Sequence, residues 1–287
     1  DNESVQSTFK EASQALGYDL WQLINQGPAE KLNQTNFTQP ALLTASVAMW
    51  RLWHEHSTNT PAVIAGHSLG EYSALVCANV LTLTDAVRLV EKRGEFMQAS
   101  VPEGVGAMAA VIGLADEDII AACQQAAQEQ VVSAVNFNSP GQVVIAGNKE
   151  AVERAGILCK EAGAKRVLPL PVSVPSHCAL MKDAADKLAE QLNNIEFSQP
   201  TISVINNVDV AIETDANAIK QALIKQLYSP VRWTETVEMM AAQGVTLAVE
   251  AGPGKVLQGL LKRINKSIAC ISVNNNDSLT KAQELIK

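Results

Sequence analysis

The chain has 287 residues, of which 47% are hydrophobic and 4% aromatic, so it can bury a sizeable aliphatic core in one large domain or two smaller ones. No apolar run approaches membrane-spanning length, and a net charge of −8 disfavours general nucleic-acid binding, so we expect neither a membrane nor a nucleic acid as a partner. The five cysteines are dispersed, without a Cys-x-x-Cys pair. This usage indicates reduced thiols and a cytoplasmic location rather than disulfides or structural zinc.

The first hundred residues predict helices around one short apolar strand. Gln39-Pro40 is predicted to start a strong helix, because proline suits the first helical position. His54 and His56 fall at the end of that helix and project to different sides, so we expect solvated side chains and no metal site there. In chain order, the sequence predicts a helix over 3–16, the helix from Gln39-Pro40, a strand over 62–65, and helices over 71–78 and 82–100.

Residues 102–171 change character and predict a small domain inserted into a larger one. The order of predicted elements is strand, helix, strand, strand, helix, strand, which is that of a ferredoxin-like unit. Pro102 and Pro169-Leu170-Pro171 bracket the segment. The predicted elements are, in that order, 105–112, 116–129, 131–136, 142–146, 149–162 and 165–170.

After the insert, short apolar strands again alternate with amphipathic helices, which implies a mostly parallel sheet with helices on both faces. We therefore predict an α/β fold with an α/β-hydrolase-like core formed by residues 1–101 and 172–287, into which the ferredoxin-like domain of residues 102–171 is inserted. The remaining predicted elements are helix 179–193, strand 202–206, helices 215–227 and 234–242, strand 245–250, helix 255–265, strand 268–273 and helix 279–286.

The junction Gly66-His67-Ser68-Leu69-Gly70 has the pattern Gly-x-Ser-x-Gly between a predicted strand and a predicted helix, the context this motif requires. A serine at so sharp a turn has a strained backbone, and we expect glycine at both flanks because a side chain at either place would clash. The Ser68 hydroxyl would lie at a helix start, where free N–H groups and the helix dipole favour an oxyanion. The alternative is a chance pentapeptide in a loop; we expect a nucleophile.

A serine nucleophile needs a base, and His177 is the candidate. It lies in a proline-stiffened loop before a predicted helix, whereas His67 adjoins the serine and should point away from its hydroxyl. The alternative is an ordinary polar loop histidine. The acids between Ser68 and His177 look like helix-start residues, so we expect a dyad whose imidazole is oriented by something other than a carboxylate.

Arg93 is unusual because its neighbours three and four residues away along the predicted helix are all apolar. An unpaired buried charge is expensive, which favours a bound anion. The alternative is that the stem follows the apolar face and the guanidinium reaches water, and the pattern leaves both open. Elsewhere, the partial matches to phosphate-loop and dinucleotide motifs lack the residues or the strand-to-helix context that these motifs require, and no metal-ligand spacing occurs. We therefore expect no cofactor and no metal.

Several motifs in order resemble the bacterial malonyl-CoA:acyl-carrier-protein transacylases. The similarity runs over essentially the whole chain and includes the inserted unit. The motifs are Gly66-His67-Ser68-Leu69-Gly70-Glu71-Tyr72-Ser73-Ala74, Arg93 on the following helix, Asn136-Phe137-Asn138-Ser139-Pro140-Gly141-Gln142, Val174-Pro175-Ser176-His177, and Gln226-Leu227-Tyr228-Ser229-Pro230-Val231-Arg232-Trp233.

The resemblance implies a role for each motif residue. Ser68 would carry the malonyl group as an ester, His177 would act as base and then as acid, and Arg93 would hold the free malonyl carboxylate through its guanidinium fork. The backbone carbonyl of Gln226 would orient His177, and the backbone N–H of Leu69 would be one oxyanion donor. The substrate-binding positions implied besides Arg93 are His67, Asn136, Ser176 and Met97.

The implied reaction is ping-pong transfer of a malonyl group from malonyl-CoA to the phosphopantetheine thiol of acyl carrier protein, for fatty-acid synthesis, by a monomer. Alternatives are a polyketide-type acyltransferase, a serine hydrolase or thioesterase on the same scaffold, and a non-catalytic binding protein. Carrier proteins are typically acidic, so docking needs local positive charge. The candidates are Lys160, Lys165, Arg166, Lys182, Lys262 and Arg263.

One part of the family pattern has no match in the sequence. The family opens with a strand and a Gly-Gln-Gly-Ser-Gln loop that supplies the other oxyanion donor, whereas this sequence begins at what resembles the family's first helix. The resemblance therefore predicts a sheet short of one strand and a site short of one donor, and losing such a donor costs ~10²–10³ in rate. We expect residues before Asp1 in the native chain.

Overall fold

The computed structural model describes residues 2–172 and 174–286 and shows an α/β fold whose sheets there are one antiparallel and two parallel. No helix in these two ranges is long and apolar enough to cross a membrane. The helices are α1 (Glu3–Leu16), α2 (Leu20–Gln26), α3 (Ala29–Leu32), α4 (Thr35–His56), α5 (Leu69–Cys77), α6 (Leu83–Ser100), α7 (Asp116–Ala127), α8 (Lys149–Glu161), α9 (Lys182–Asn193), α10 (Ala216–Gln226), α11 (Trp233–Ala242), α12 (Val256–Ile264) and α13 (Asn276–Ile286). The strands are β1 (Val63–Ala65), β2 (Gly106–Ile112), β3 (Val132–Ser139), β4 (Gln142–Asn148), β5 (Arg166–Pro169), β6 (Ser203–Ile205), β7 (Leu247–Ala251) and β8 (Ala269–Val273).

Helix α4 begins at Thr35, earlier than the predicted start at Gln39-Pro40. Pro40 lies in the second turn and is buried, as are Leu43 and Val47 on the same helix. Proline at this place removes one intrahelical hydrogen bond. Packing of a long buried face supplies most of a helix's stability, and this packing outweighs the loss.

Strands β2 to β5 form a four-stranded sheet in the order β3–β4–β2–β5, with every neighbouring pair antiparallel. Helices α7 and α8 pack against it, and Ile119, Ile145 and Val152 belong to the buried cluster between them. Strand β3 extends beyond the predicted end at residue 136. Register shifts in β3 keep it paired with β4 up to Ser139, just before the turn into β4.

The other strands form two separate parallel pairs, β1 with β6 and β7 with β8. The structure thus differs from the single, mostly parallel sheet that the sequence predicts. Residues of β1 and β7 both line a cavity of about 320 Å³, with apolar walls that include Trp53, Met240 and Leu261. Because this cavity lies between the strands, no backbone hydrogen bonds join the two pairs across the described residues.

Helices α4 and α6 cross closely because residue 94 is glycine. A Cβ atom on Gly94 would lie 2.5 Å from the Cα of Asn36, so any larger residue would push the helices apart. The close crossing brings the preceding residue of α6, Arg93, within hydrogen-bond reach of Gln39 on α4. The fold therefore places a charged side chain at the junction of two buried helices.

Candidate active site

Ser68 occupies the corner between strand β1 and helix α5. Its φ of 52° and ψ of −109° are strained for a residue with a side chain, at a cost of ~1–3 kcal/mol. A Cβ atom on Gly66 would lie 2.0 Å from the carbonyl carbon of Gly70, so glycine is required at position 66. The same expectation for Gly70 is wrong, because a Cβ atom there would point into space with nothing within 4 Å.

Asn207, which is fully buried two residues after β6, holds this corner. Its Oδ1 accepts a hydrogen bond from the backbone N–H of Ser68 at 2.6 Å, and its Nδ2 donates to the carbonyl of Gly66 at 2.8 Å. One amide therefore binds the backbone on both sides of the turn. These two hydrogen bonds, at ~1 kcal/mol each, offset part of the strain.

The Ser68 hydroxyl lies 2.8 Å from the Nε2 atom of His177. On the other side of the ring, Nδ1 lies 2.7 Å from the backbone carbonyl of Gln226. A carbonyl can only accept, so Nδ1 carries the proton and Nε2 of the neutral ring is free to accept from Ser68. The imidazole is thus oriented by a backbone carbonyl, and no carboxylate takes that place.

His177 is 3% exposed, and burial lowers the pKa of its imidazole to about 3, with a further lowering by the charge of Arg93. The ring is therefore neutral at neutral pH. Only the neutral ring can take the hydroxyl proton of Ser68, so the pair is in the protonation state that activates a nucleophile.

Arg93 is 2% exposed, which excludes the alternative of a guanidinium that reaches water. Its Nη1 donates to Gln39 Oε1 at 2.7 Å, and its Nη2 donates to Gln226 Oε1 at 3.1 Å and to Ser68 Oγ at 3.2 Å. The ion pairs found among the described residues do not include Arg93. Its positive charge is held by neutral oxygens beside the serine hydroxyl, and its Nε–H has no acceptor in the described part of the chain.

Glu71, on the first turn of α5, lies buried beneath these groups at 2% exposure. Its Oε2 accepts from the backbone N–H of Asn207 at 2.9 Å and from Nε2 of Gln226 at 2.8 Å. Burial raises the pKa of Glu71 to about 7, although the hydrogen bonds and Arg93 act in the opposite direction.

His67 points away from the Ser68 hydroxyl. Its Nε2 donates to Oδ1 of Asn138 at 2.8 Å, and its ring lies 5.6 Å from the indole of Trp233. Burial lowers the pKa of His67, so this ring is neutral as well. The contact joins the serine corner to strand β3 of the four-stranded sheet.

The remaining predicted positions differ in their burial and in their contacts. Leu69 is the first residue of α5, and its N–H has no acceptor within the helix. Asn136 lies on β3, and its buried Oδ1 has no partner among the described residues. Ser176 directs its hydroxyl to the carbonyl of Val174 at 3.5 Å. Met97 is buried behind the arginine, where its Sδ accepts from Nε2 of Gln39 at 3.7 Å.

The family model for the acyl transferase domain matches residues 4–284. The chain belongs to this acyltransferase family. Curated relatives include the malonyl CoA-acyl carrier protein transacylase of Escherichia coli strain K12, which is 65% identical over 281 residues, or 98% of this chain and 91% of that protein. The protein of the same name from Bacillus subtilis is 46% identical over 280 residues, or 97% of this chain and 88% of that protein. The resemblance inferred from the motifs is therefore confirmed.

Solved structures similar to this acyltransferase include an acyl carrier protein S-malonyltransferase from Vibrio cholerae, with a TM-score of 0.97 at 65% identity, covering 98% of this chain and 92% of that chain. A second is a malonyl-transacylase in complex with its type II PKS acyl-carrier protein, with a TM-score of 0.98 at 62% identity, covering 99% of this chain and 92% of that chain.

Three residues that hold this acyltransferase site together are not among the sequence-predicted positions. They are Gln39, Glu71 and Asn207, each buried and each hydrogen-bonded to groups far away in the chain. One signal was available for Asn207, because it follows a short parallel strand and ligand sites gather at the carboxyl ends of such strands. Gln39 offered a weaker signal as a polar residue beside buried apolar positions of α4.

Proposed function

We propose that this acyltransferase moves a malonyl group from malonyl-CoA to the phosphopantetheine thiol of acyl carrier protein, supplying fatty-acid synthesis. The observation that carries the proposal is the position of Arg93, whose Nη2 lies 3.2 Å from the Ser68 hydroxyl although the charge is buried and has no ion-pair partner within residues 2–172 and 174–286. A cation beside a nucleophile favours an acyl group that carries its own carboxylate. Malonyl has such a carboxylate, and acetyl does not.

In the first half-reaction, Ser68 Oγ attacks the thioester carbonyl carbon while Nε2 of His177 takes the hydroxyl proton. The new bond joins Oγ to the carbonyl carbon, the carbon–sulfur bond breaks, and the imidazolium returns the proton to the departing CoA sulfur. The Leu69 N–H at the start of α5 is placed to donate to the oxyanion of the tetrahedral intermediate. The product is malonyl-Ser68.

In the second half-reaction, His177 takes the proton of the carrier thiol, and the sulfur attacks the acyl-serine carbonyl. The carbon–sulfur bond forms, the bond to Oγ breaks, and Oγ regains its proton from the ring. The Gln226 carbonyl keeps the ring in the required tautomer throughout, because Nδ1–H remains bound to it at 2.7 Å. No cofactor or metal is needed for either step.

The relatives support the choice of substrate and partner. Proteins named malonyl CoA-acyl carrier protein transacylase match nearly the whole chain, and one similar structure holds a malonyl-transacylase with its acyl-carrier protein. That carrier is of the type II PKS class, so a polyketide carrier is the second candidate for the acceptor. The two candidates share the malonyl-enzyme and differ only in which carrier thiol accepts it.

We further propose that the cleft around Ser68 is completed by His67, Asn136, Ser176 and Met97. The buried Oδ1 of Asn136, which has no partner in the described ranges, would accept from a substrate N–H, whereas Met97 acts behind the arginine by packing on Gln39. An acidic carrier would dock on exposed basic residues. The candidates are Lys160, Lys165, Arg166, Lys182, Lys262 and Arg263, of which Arg263 already bonds to Gln142 on β4.

We propose that residues 1–101 and 172–287 form one α/β-hydrolase-like domain, that residues 102–171 form a ferredoxin-like insert, and that the protein acts as a monomer in the cytoplasm. The strand order β3–β4–β2–β5 supports the insert. We propose that the apolar cavity lined by β1 and β7 takes one more extended strand, which would join the two parallel pairs into a single sheet. Trp233 lines this cavity, and its indole N–H, which has no acceptor among the described residues, is available to donate to such a strand.

The cavity proposal can be tested with an apolar peptide of about seven residues added in trans. If the peptide pairs with the free edges, backbone amides of β1 and β7 will exchange more slowly with deuterium, while those of β3 will not change. Unchanged exchange at β1 and β7 under saturating peptide would refute a strand-shaped site.

The function is tested by intact mass after brief incubation with malonyl-CoA, with the Ser68→Ala variant as the control. A malonyl adduct on the parent protein alone, discharged by the carrier thiol faster than by water, is the expected result. An adduct that water removes as fast as the carrier would indicate a hydrolase instead. Absence of any adduct on the folded protein would contradict the proposed function.

A further inference from the structure

We propose that Glu71 is a positioning residue for the transfer, holding the nucleophile, the base and the arginine in one arrangement through Asn207 and Gln226. This inference rests on the proposed function, because it concerns the same acyl transfer. Glu71 binds Asn207 and Gln226 directly. Each residue that carries a reacting group, Ser68, His177 or Arg93, is hydrogen-bonded to one of these two. Glu71 does not itself touch the Ser68 hydroxyl.

The first path runs through Gln226, which is 0% exposed. Its Nε2 donates to Glu71 Oε2 at 2.8 Å and to the carbonyl of Ser68 at 3.1 Å, and its Oε1 accepts from Arg93 at 3.1 Å. A primary amide could be turned either way, and the wrong orientation would present two N–H groups to the arginine. A carboxylate only accepts, so Glu71 selects the orientation that leaves Oε1 facing Arg93.

The same residue also fixes the base, because the backbone carbonyl of Gln226 accepts from His177. Gln226 lies at the last position of α10, and its side chain ties that helix end to α5 through Glu71. Movement of this helix end would move the carbonyl, the ring and the arginine acceptor together. The Glu71 contact therefore acts on two reacting groups at once.

The second path runs through Asn207, whose backbone N–H donates to the same Oε2 atom at 2.9 Å. The side chain of Asn207 is in turn hydrogen-bonded to the backbone N–H of Ser68 and to the carbonyl of Gly66. Hydrogen bonds to a charged acceptor are worth ~1.5–3 kcal/mol each, so the carboxylate is a stronger anchor than a neutral group in its place.

The charge on Glu71 changes near neutral pH, since burial raises its pKa to about 7. The groups that face it are Arg93 on α6 and Asp209 after β6, whose charges act in opposite directions, and Glu213, which lines a small cavity with it. His177 faces the same network and is neutral in this range. Protonation would turn Glu71 into a donor and remove its control over the Gln226 amide.

The test compares Glu71→Gln with Glu250→Gln as a matched control. Glu250 likewise accepts hydrogen bonds from the backbone and from a side chain, three in all against two at Glu71, but it caps α12 and has no hydrogen bond to the site among the described residues. We expect Glu71→Gln to lower kcat/KM for Ser68 malonylation about 10- to 100-fold, the size of one lost charged hydrogen bond. Glu250→Gln should leave this rate within about threefold of the parent at 25 °C.

The pH profile separates positioning from a merely structural role. In the parent protein, kcat/KM for malonyl-CoA should fall as the pH drops through about 7, whereas Glu71→Gln should lose this limb. A titrating group of the substrate would give the same limb in both proteins. His177 cannot supply it, because the pKa of that ring is about 3.

The proposal is overturned if Glu71→Gln keeps the parent rate and the parent pH profile, or if both variants lose rate in proportion to lost thermal stability. If Glu71→Gln does not fold, Glu71→Asp decides, because its shorter carboxylate cannot keep both the Asn207 and the Gln226 hydrogen bonds. A lowered rate with a shifted acid limb supports the proposal, and the parent rate with the parent profile refutes it. Absence of a malonyl adduct on the parent protein would instead refute the proposed function, so the two failures are distinguishable.

Discussion

Replacing Arg93 with alanine should change which acyl group the protein accepts. The guanidinium is 2% exposed and lies 3.2 Å from the nucleophile, so a malonyl carboxylate paired with it would be shielded from water. Removing one partner of such a buried hydrogen-bonded charge pair costs ~2–5 kcal/mol. At ~1.4 kcal/mol for each factor of ten, kcat/KM for malonyl-CoA should fall about 30- to 4,000-fold.

Acetyl-CoA has no carboxylate to lose, so its loading should not fall and should rise because the buried charge is gone. The assay is competition between equimolar malonyl-CoA and acetyl-CoA, followed by the intact mass of the Ser68 adducts. Arg88→Ala is the matched control, because Arg88 lies on the same helix but is exposed and, within the described part of the chain, donates only to the carbonyl of Ala15. An equal loss of malonyl and acetyl loading in Arg93→Ala would refute the reasoning.

Three further predictions follow from the site. Gly66→Ala should unfold the serine corner or abolish malonylation, whereas Gly70→Ala should remain folded and be malonylated, as mass spectrometry of both variants will show. Gln39→Leu should weaken malonyl loading about tenfold with acetyl loading unchanged, because Arg93 loses its 2.7 Å acceptor; competition loading measures this. For His177 the folded pKa of about 3 lies below the ordinary 6.5, so its contribution to stability is complete above pH 6.5 and is lost as the pH falls toward 3. Relative to His177→Gln, denaturant titration should therefore show the parent losing about 1.4 kcal/mol between pH 7.5 and pH 5.5.

Local sequence patterns were sufficient where the chemistry is local. The serine corner is a strand, a turn and a helix within a short stretch, so Ser68 could be singled out. The apolar neighbours that make Arg93 unusual lie on its own helix, so Arg93 could be singled out as well. The expectation that no acid orients His177 also agrees with the geometry, since a backbone carbonyl takes that place. Backbone groups carry no sequence signature, and Gln226 could be named only from the family pattern.

Long-range contacts account for most of what the sequence did not predict. Asn207 is hydrogen-bonded to Ser68, 139 positions away in the sequence, and Gln226 to Glu71, 155 positions away. No periodicity or spacing links residues so far apart. The clash assigned to Gly70 was wrong because the close approach involves its backbone and not a side chain. The start of α4 was placed too late because burial of Pro40 overrides its preference for the first turn.

The close crossing of α4 and α6 has a consequence for acyl selectivity. Gln39 and Arg93 lie on the two sides of this crossing, and the 2.7 Å hydrogen bond between them depends on the distance between the helices. Position 94 sets that distance, because a Cβ atom there would lie 2.5 Å from the Cα of Asn36. A glycine with no side chain to offer a substrate therefore helps to decide which acyl group the enzyme selects.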